Sequence, residues 1–346
     1  MNADRPNRRL RYSCGAGSAQ PDWWSPNALA EVCATSGRRL SMGRPIEFGY
    51  FAPTGSARAG GREFEPALRR ALDIARQSFS SVWFSDHFMF EDAPIHEAWV
   101  ILSYTAALVP DLQLGHLVLC NSYRPPALVA KMAASLQSLT GGRFVLGYGA
   151  GWKQDEYLAY GYDFPSAAVR IAMMEEGIAV IKAMWRDAQP TFQGQFYHID
   201  QPWCEPRPNP APPLMIGGDG EQRTLRAVAR HADWWNCYSR TAEVARRKLE
   251  VLQQHCAAEG RDFGSIRKTW SGPVIIDRDH QAALRRAGDR LQGEQPPIAG
   301  DPSAVVERFQ ELAELGFDLF QVSFDQFPDT ADMELFAGEV MPRCQA

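Results

Sequence analysis

The chain has no run of about 18 apolar residues, so no segment is long enough for a transmembrane helix. Its first stretch has no apolar core of the kind a secretory signal carries, and its Arg/Ser bias only faintly resembles a transit peptide. Seven cysteines (Cys14, Cys33, Cys120, Cys204, Cys237, Cys256 and Cys344) are scattered and odd in number, and none forms Cys-x-x-Cys. That excludes a disulfide framework and a structural zinc knuckle. Seven histidines are equally dispersed, with no His-x-x-x-His and no paired-His-carboxylate cluster, so no metal is expected. A Walker A loop, a Gly-x-Ser-x-Gly elbow and internal repeats are all missing. The net charge of −5 argues against a nucleic-acid face. What remains is a metal-free protein, expected in the cytoplasm, that handles a small molecule.

What is present is ordinary globular chemistry: 346 residues, 45% apolar and 22% charged, enough for a core that needs no covalent staples. The charge is uneven. Residues 1–43 carry six arginines against three acids, a net of +3, which leaves −8 for the rest. This leader is rich in Arg, Ser, Pro, Asn and Gly and shows no period, so a disordered extension is expected over 1–43 and a folded domain over 44–346. The pair Trp23-Trp24 is the one feature of the leader that would suit docking on a surface.

From Ile46 onward short apolar runs alternate with amphipathic stretches. Strands are predicted over Ile46–Phe51, Ser81–Phe84, Leu112–Leu119, Arg143–Gly147, Pro213–Ile216, Asp233–Cys237, Arg267–Ile276 and Asp318–Ser323. Helical spacing separates them over Phe64–Ser78, Glu97–Leu108, Pro125–Leu139, Ser166–Trp185, Glu221–His231, Thr241–Glu259, Gln281–Leu291, Pro302–Leu315 and Asp332–Met341. Eight strands, each followed by a helix, is the count of a (β/α)8 barrel; the alternation alone also fits a doubly wound sheet. The Pro-rich Gln189–Pro213 stretch reads as an ordered insertion with a small hairpin around Phe192–Ile199.

In such a barrel the chemistry sits in the loops after the strands. The second strand is followed by Ser85-Asp86-His87-Phe88, a carboxylate beside an imidazole able to move protons near neutral pH; a capping turn is the plain alternative. After the fourth strand comes Gly147-Tyr148-Gly149-Ala150-Gly151-Trp152, whose alternating glycines let backbone approach a ligand. Its spacing and its place after three earlier strands do not suit a Rossmann fingerprint. Ile216-Gly217-Gly218-Asp219-Gly220 precedes a helix and suits an anion, with Arg223 as added charge. In the third strand, Gly115 suits a bulge and His116 suits packing. Arg124 reads as a surface cation, with a phosphate or substrate contact as the alternative, and Trp83 reads as core. The aromatic residues Phe88, Phe90, Trp99 and Trp203 would shape an apolar or planar site.

Taken in order, Ser85 to Phe88, Tyr123-Arg124-Pro125, Gly141-Gly142-Arg143 with Leu146 to Trp152, Pro213 to Gly218 and Ala232 to Asn236 resemble the luciferase-like monooxygenase superfamily of flavin- and deazaflavin-dependent oxidoreductases, and most closely its coenzyme F420 branch. The resemblance covers roughly Arg44 to Pro342. It implies a (β/α)8 barrel with loop insertions, and catalytic roles for Asp86 and His87, with His87 moving the proton or orienting the hydride. It implies a cofactor site formed by Asp86, Gly115, Leu117, Val118, Gly149, Ala150, Gly151, Trp152, Gly217 and Gly218. A non-prolyl cis peptide is implied at Leu117–Val118, and the Gly217 and Gly218 amides would hold the cofactor phosphate. It implies F420 as cofactor, with reduced FMN and O2 as the alternative and a non-catalytic flavin-binding barrel as a second, and it implies a homodimer. Relatives that oxidise a sugar phosphate carry a glutamate where this chain has Trp152, which speaks against that substrate.

Overall fold

The computed structural model describes residues 45–345, except 59, 91–92, 239–240 and 294; the leader 1–43 lies outside the described residues. The alternating pattern folds as β1 (Glu47–Phe51), α1 (Gly60–Ser78), β2 (Ser81–Phe84), α2 (Ala98–Leu108), β3 (Gln113–His116), α3 (Pro126–Leu139) and β4 (Phe144–Gly149). There follow α4 (Gln154–Ala159), α5 (Ala167–Arg186), β5 (Leu214–Gly217), α6 (Thr224–His231), β6 (Trp234–Cys237) and α7 (Ala242–Ala258). The last elements are β7 (Arg267–Ile276), α8 (His280–Ala287), α9 (Pro302–Glu314), β8 (Leu319–Phe324) and α10 (Ala331–Glu339). Each numbered strand pairs in parallel with the next, and β8 returns to β1 with Glu47 opposite Leu319, so the sheet closes. A closed sheet has no edge to protect. Among the described residues no helix is long and apolar enough to cross a membrane.

The barrel interior is filled by Trp83, Val145, Met215 and Leu319, with Phe51, Leu117, Val118 and Trp234 packed on them. Gly115 belongs to this packing and does not line a cavity: a Cβ there would lie 2.2 Å from the Trp83 ring. Outside the barrel, Phe48 meets Phe309 and Phe336 edge-on, both at 5.2 Å, and joins sheet to helices. The hairpin pairs Thr191–Gln193 with His198–Asp200, and its turn is fixed by the Glu176 carboxylate, which accepts the Gln195, Phe196 and Tyr197 amides.

Three boundaries depart from expectation. The third strand stops at His116 and a separate pair, Leu119–Cys120, lies against Tyr148–Gly149. That extra pairing carries β4 two residues past Gly147, so Gly147 and Gly149 are strand residues and the loop begins at Ala150. The helix expected over Gln281–Leu291 ends at Ala287, because Gly288 takes a φ of +54° and a short 3-10 turn follows.

His116 does pack as expected. Its ring is fully buried against Trp99 and Phe144, and burial lowers its pKa from 6.5 to about 3. The unfolded chain therefore takes up a proton below pH about 6.5 that the folded chain refuses, so this group withdraws stability as pH falls from there towards 3, at about 1.4 kcal/mol per pH unit. His116→Leu should flatten that loss, read as a smaller drop in urea midpoint between pH 7 and 4.5.

Candidate active site

Phe51 at the end of β1, the loops after β2 to β6, the start of α5, Ser271 of β7 and Gln295 line a cavity of about 670 Å³ at the C-terminal mouth of the barrel. Asp86, His87, Leu117, Val118, Gly149, Ala150, Gly151, Trp152, Gly217 and Gly218 all line it. The structure thus brings together every expected site residue except Gly115. The Leu117–Val118 peptide is cis, as the resemblance implied.

Val118 explains two of the glycines. A Cβ on Gly149 would sit 2.7 Å from one Val118 methyl, and a Cβ on Gly217 would sit 2.9 Å from the other. The two glycines of neighbouring strands make room for this one side chain on the cavity floor. Gly151 has a different cause: its φ is +76°, and a Cβ would strike the Tyr157 hydroxyl at 2.0 Å.

Asp86 is buried and its oxygens are engaged. Arg124 grips it with two nitrogens, at 2.8 and 2.9 Å, and the Cys120 amide donates at 2.8 Å. Arg124 is therefore not a surface cation; it is nearly buried, pairs also with Glu97, and ties the loop after β2 to the start of α3. Three of the roughly four acceptor positions of Asp86 are filled in this way, so the carboxylate fixes the loop that carries His87.

His87 lies between Phe90 and Trp152, each edge-on to the imidazole at 5.5 and 5.8 Å. Its Nδ1 is 2.9 Å from Oε2 of Glu156, a carboxylate on α4 that is 0% exposed. The Tyr123 hydroxyl donates to the same oxygen at 2.9 Å, while Oε1 accepts the Phe88 and Met89 amides. Burial raises the Glu156 carboxyl, but the hydrogen bonds from His87 and the two amides outweigh it and leave its pKa below 4.5. The stabilisation from that network is complete above pH about 4.5 and is lost as pH falls through the lowered value. An ionised carboxylate can only accept, so neutral His87 carries its proton on Nδ1 and Nε2 is left as an acceptor.

Sequence reasoning missed Glu156. Next to Asp155, it reads as ordinary acidic residues in the first turn of a helix; only the fold reveals that one of the two is buried under the β2 loop. Asn236 was also missed as a wall residue. It is held in a satisfied network with Thr269, Ser271 and Gln321, each at 3.1 Å.

The anion expectation changes. The Gly218 amide donates to the Asn236 carbonyl at 3.2 Å, and Arg223 is exposed and off the cavity wall. The buried cation of the cavity is Arg170 of α5, 7% exposed and stacked over Phe164. Two of its nitrogens donate to the Gly151 and Pro165 carbonyls. None of the four aromatics expected to shape the site lines this cavity; Phe90 lines a second space beside it. Phe88 stacks behind it on Tyr123, Trp99 is core, and Trp203 is 67% exposed on the insertion. Among the described residues no three metal-ligating side chains converge.

A closed parallel barrel with a half-buried imidazole on a buried carboxylate and a glycine-walled cavity at its C-terminal mouth defines a (β/α)8-barrel enzyme. The model of the luciferase-like monooxygenase family matches residues 46–298, and the chain belongs to that family. It is 30% identical over 282 residues to the F420-dependent glucose-6-phosphate dehydrogenase of Kineococcus radiotolerans, covering 78% of this chain and 81% of that protein. An uncharacterised protein of Mycobacterium tuberculosis is 29% identical over 213 residues, 61% of this chain and 74% of its own length. Among solved structures, an F420-dependent secondary alcohol dehydrogenase in complex with an F420-acetone adduct superposes with a TM-score of 0.75 at 20% identity, over 87% of this chain and 100% of that one.

Proposed function

We propose that the protein is an oxidoreductase that moves a hydride between coenzyme F420 and an organic substrate, with His87 handling the accompanying proton. The observation that carries this is the His87–Glu156 pair on the wall of a large cavity, in a chain whose relatives include an F420-dependent dehydrogenase. The cavity fits the group. Leu117, Val118 and Leu119 offer an apolar floor for a flat ring, and Arg170 is a buried cation with two of its nitrogens held by backbone carbonyls, suited to a phosphate. When bound, the deazaflavin supplies a two-electron hydride donor or acceptor. The chain's own part is positional and acid–base. Glu156 fixes the His87 tautomer, Nε2 takes or returns the proton, and Trp152 and Phe90 flank the imidazole.

Fluorescence titration with F420 and with FMN, side by side, tests the reading. Saturable binding of F420 in preference to FMN is expected; binding of neither overturns it. Oxygen uptake with reduced FMN would favour a monooxygenase. Arg170→Met should weaken F420 binding about 10- to 100-fold, the loss of one charge-assisted contact of roughly 1.5–3 kcal/mol, measured in the same titration.

A further inference from the structure

His87 and Phe51 belong to two cavities at once. Beyond them lies a second space of about 400 Å³, formed by the loops after β1 and β2 and the end of β8. Its walls differ in chemistry from those of the first cavity. Ala52, Phe90, Ile95 and Phe324 make it apolar, and Thr54, Ser85 and Ser323 add hydroxyls. Among the described residues that line it, none is Lys, Arg, Asp or Glu; His87 is the only titratable group. Lys153, whose Nζ lies 5.2 Å from the Phe90 ring centroid, lines the first cavity and is paired with Asp155. Glu91 and Asp92 follow Phe90 in sequence, outside the described residues, and are acids, not cations.

We propose that this second cavity is the substrate chamber and that it selects an uncharged alcohol or carbonyl compound, its oxygen facing His87 and its apolar body against Phe90, Ile95 and Phe324. The inference rests on the reading above and adds the substrate class. A phosphate dianion moved from water into a chamber without Lys or Arg gives up strong hydration and meets no fixed cation in return, only hydroxyls and an imidazole. A neutral hydroxyl or carbonyl loses only one or two hydrogen bonds to water and regains them from His87 and the lining hydroxyls. The location gives His87 both neighbours it needs, with the cofactor cavity on one side and the substrate on the other.

The test measures binding by calorimetry to the cofactor-free and to the F420-loaded protein, with cyclohexanol, cyclohexanone and glucose 6-phosphate as probes. Saturable binding of a neutral probe at least tenfold tighter than the sugar phosphate is expected. Ala93→Trp, which fills the chamber, should weaken the neutral probe at least tenfold and leave F420 affinity within twofold. Ser323→Lys, which adds a cation, should tighten the sugar phosphate about tenfold. Three results overturn the proposal: tighter binding of glucose 6-phosphate than of either neutral probe, no saturable binding of a neutral probe, or indifference of the neutral probe to Ala93→Trp. Failure of the wild-type protein to bind F420 is a separate result, and it counts against the cofactor reading alone.

Discussion

His87→Ala should lower turnover by about 10²- to 10⁴-fold, the usual contribution of a positioned general acid–base group, while F420 affinity changes only a few-fold. Such a split follows from position. The imidazole lies edge-on to Phe90 and Trp152 on the boundary of the two cavities, whereas the cofactor floor is made by other residues. Asp86 is a poor substitute, because Arg124 and the Cys120 amide fill three of its roughly four acceptor positions. Single-turnover cofactor reduction followed by absorbance, alongside the binding titration, separates the two quantities. Equal loss of affinity and rate would assign His87 to binding. Retention of full rate would remove it from the chemistry.

Glu156→Gln should come close to that loss without touching substrate or cofactor. The two carboxylate oxygens divide their work: one accepts the Phe88 and Met89 amides, the other accepts from His87 Nδ1 and Tyr123. Glutamine has one oxygen. If that oxygen stays on the two amides, its NH2 group turns towards His87 and requires an acceptor at Nδ1. The imidazole proton then moves to Nε2, and the nitrogen needed for catalysis is no longer a base. A fall in kcat of about 10²-fold or more is expected, with F420 affinity near wild type and a stability cost of about 1–3 kcal/mol from the mismatched Tyr123 hydroxyl. Glu156→Asp, which keeps the charge, should recover part of the rate. A wholly structural role would instead show as lower stability with an unchanged pH–rate profile.

The sequence carried the architecture because the barrel repeats one simple unit. Each of the eight strands is a short apolar run, and each is followed by helical spacing, so the count alone pointed to closure. The cavity wall was legible where its residues are neighbours in sequence, as in Asp86-His87, the Gly149 to Trp152 loop and Gly217-Gly218. It was not legible where a contact joins distant segments. Glu156 meets His87 across 69 residues, and Arg124 meets Asp86 across 38; a carboxylate and an arginine carry no local sign of burial. Gly115 enters the expected cofactor site only through the resemblance, and here the group that approaches it is the Trp83 ring.

Val118 with Gly149 and Gly217 has a consequence for how this sequence can vary. The three positions share one small volume contributed by three different strand ends, so they should drift as a set. Gly149→Ala or Gly217→Ala alone forces a methyl into the valine, whereas either paired with Val118→Ala removes the obstacle. Such pairing would widen or tilt the floor proposed above for a planar ring. Descendants of this chain that change cofactor geometry would be found by looking for joint change at 118, 149 and 217, a signature that a library of double variants selected for cofactor binding would display directly.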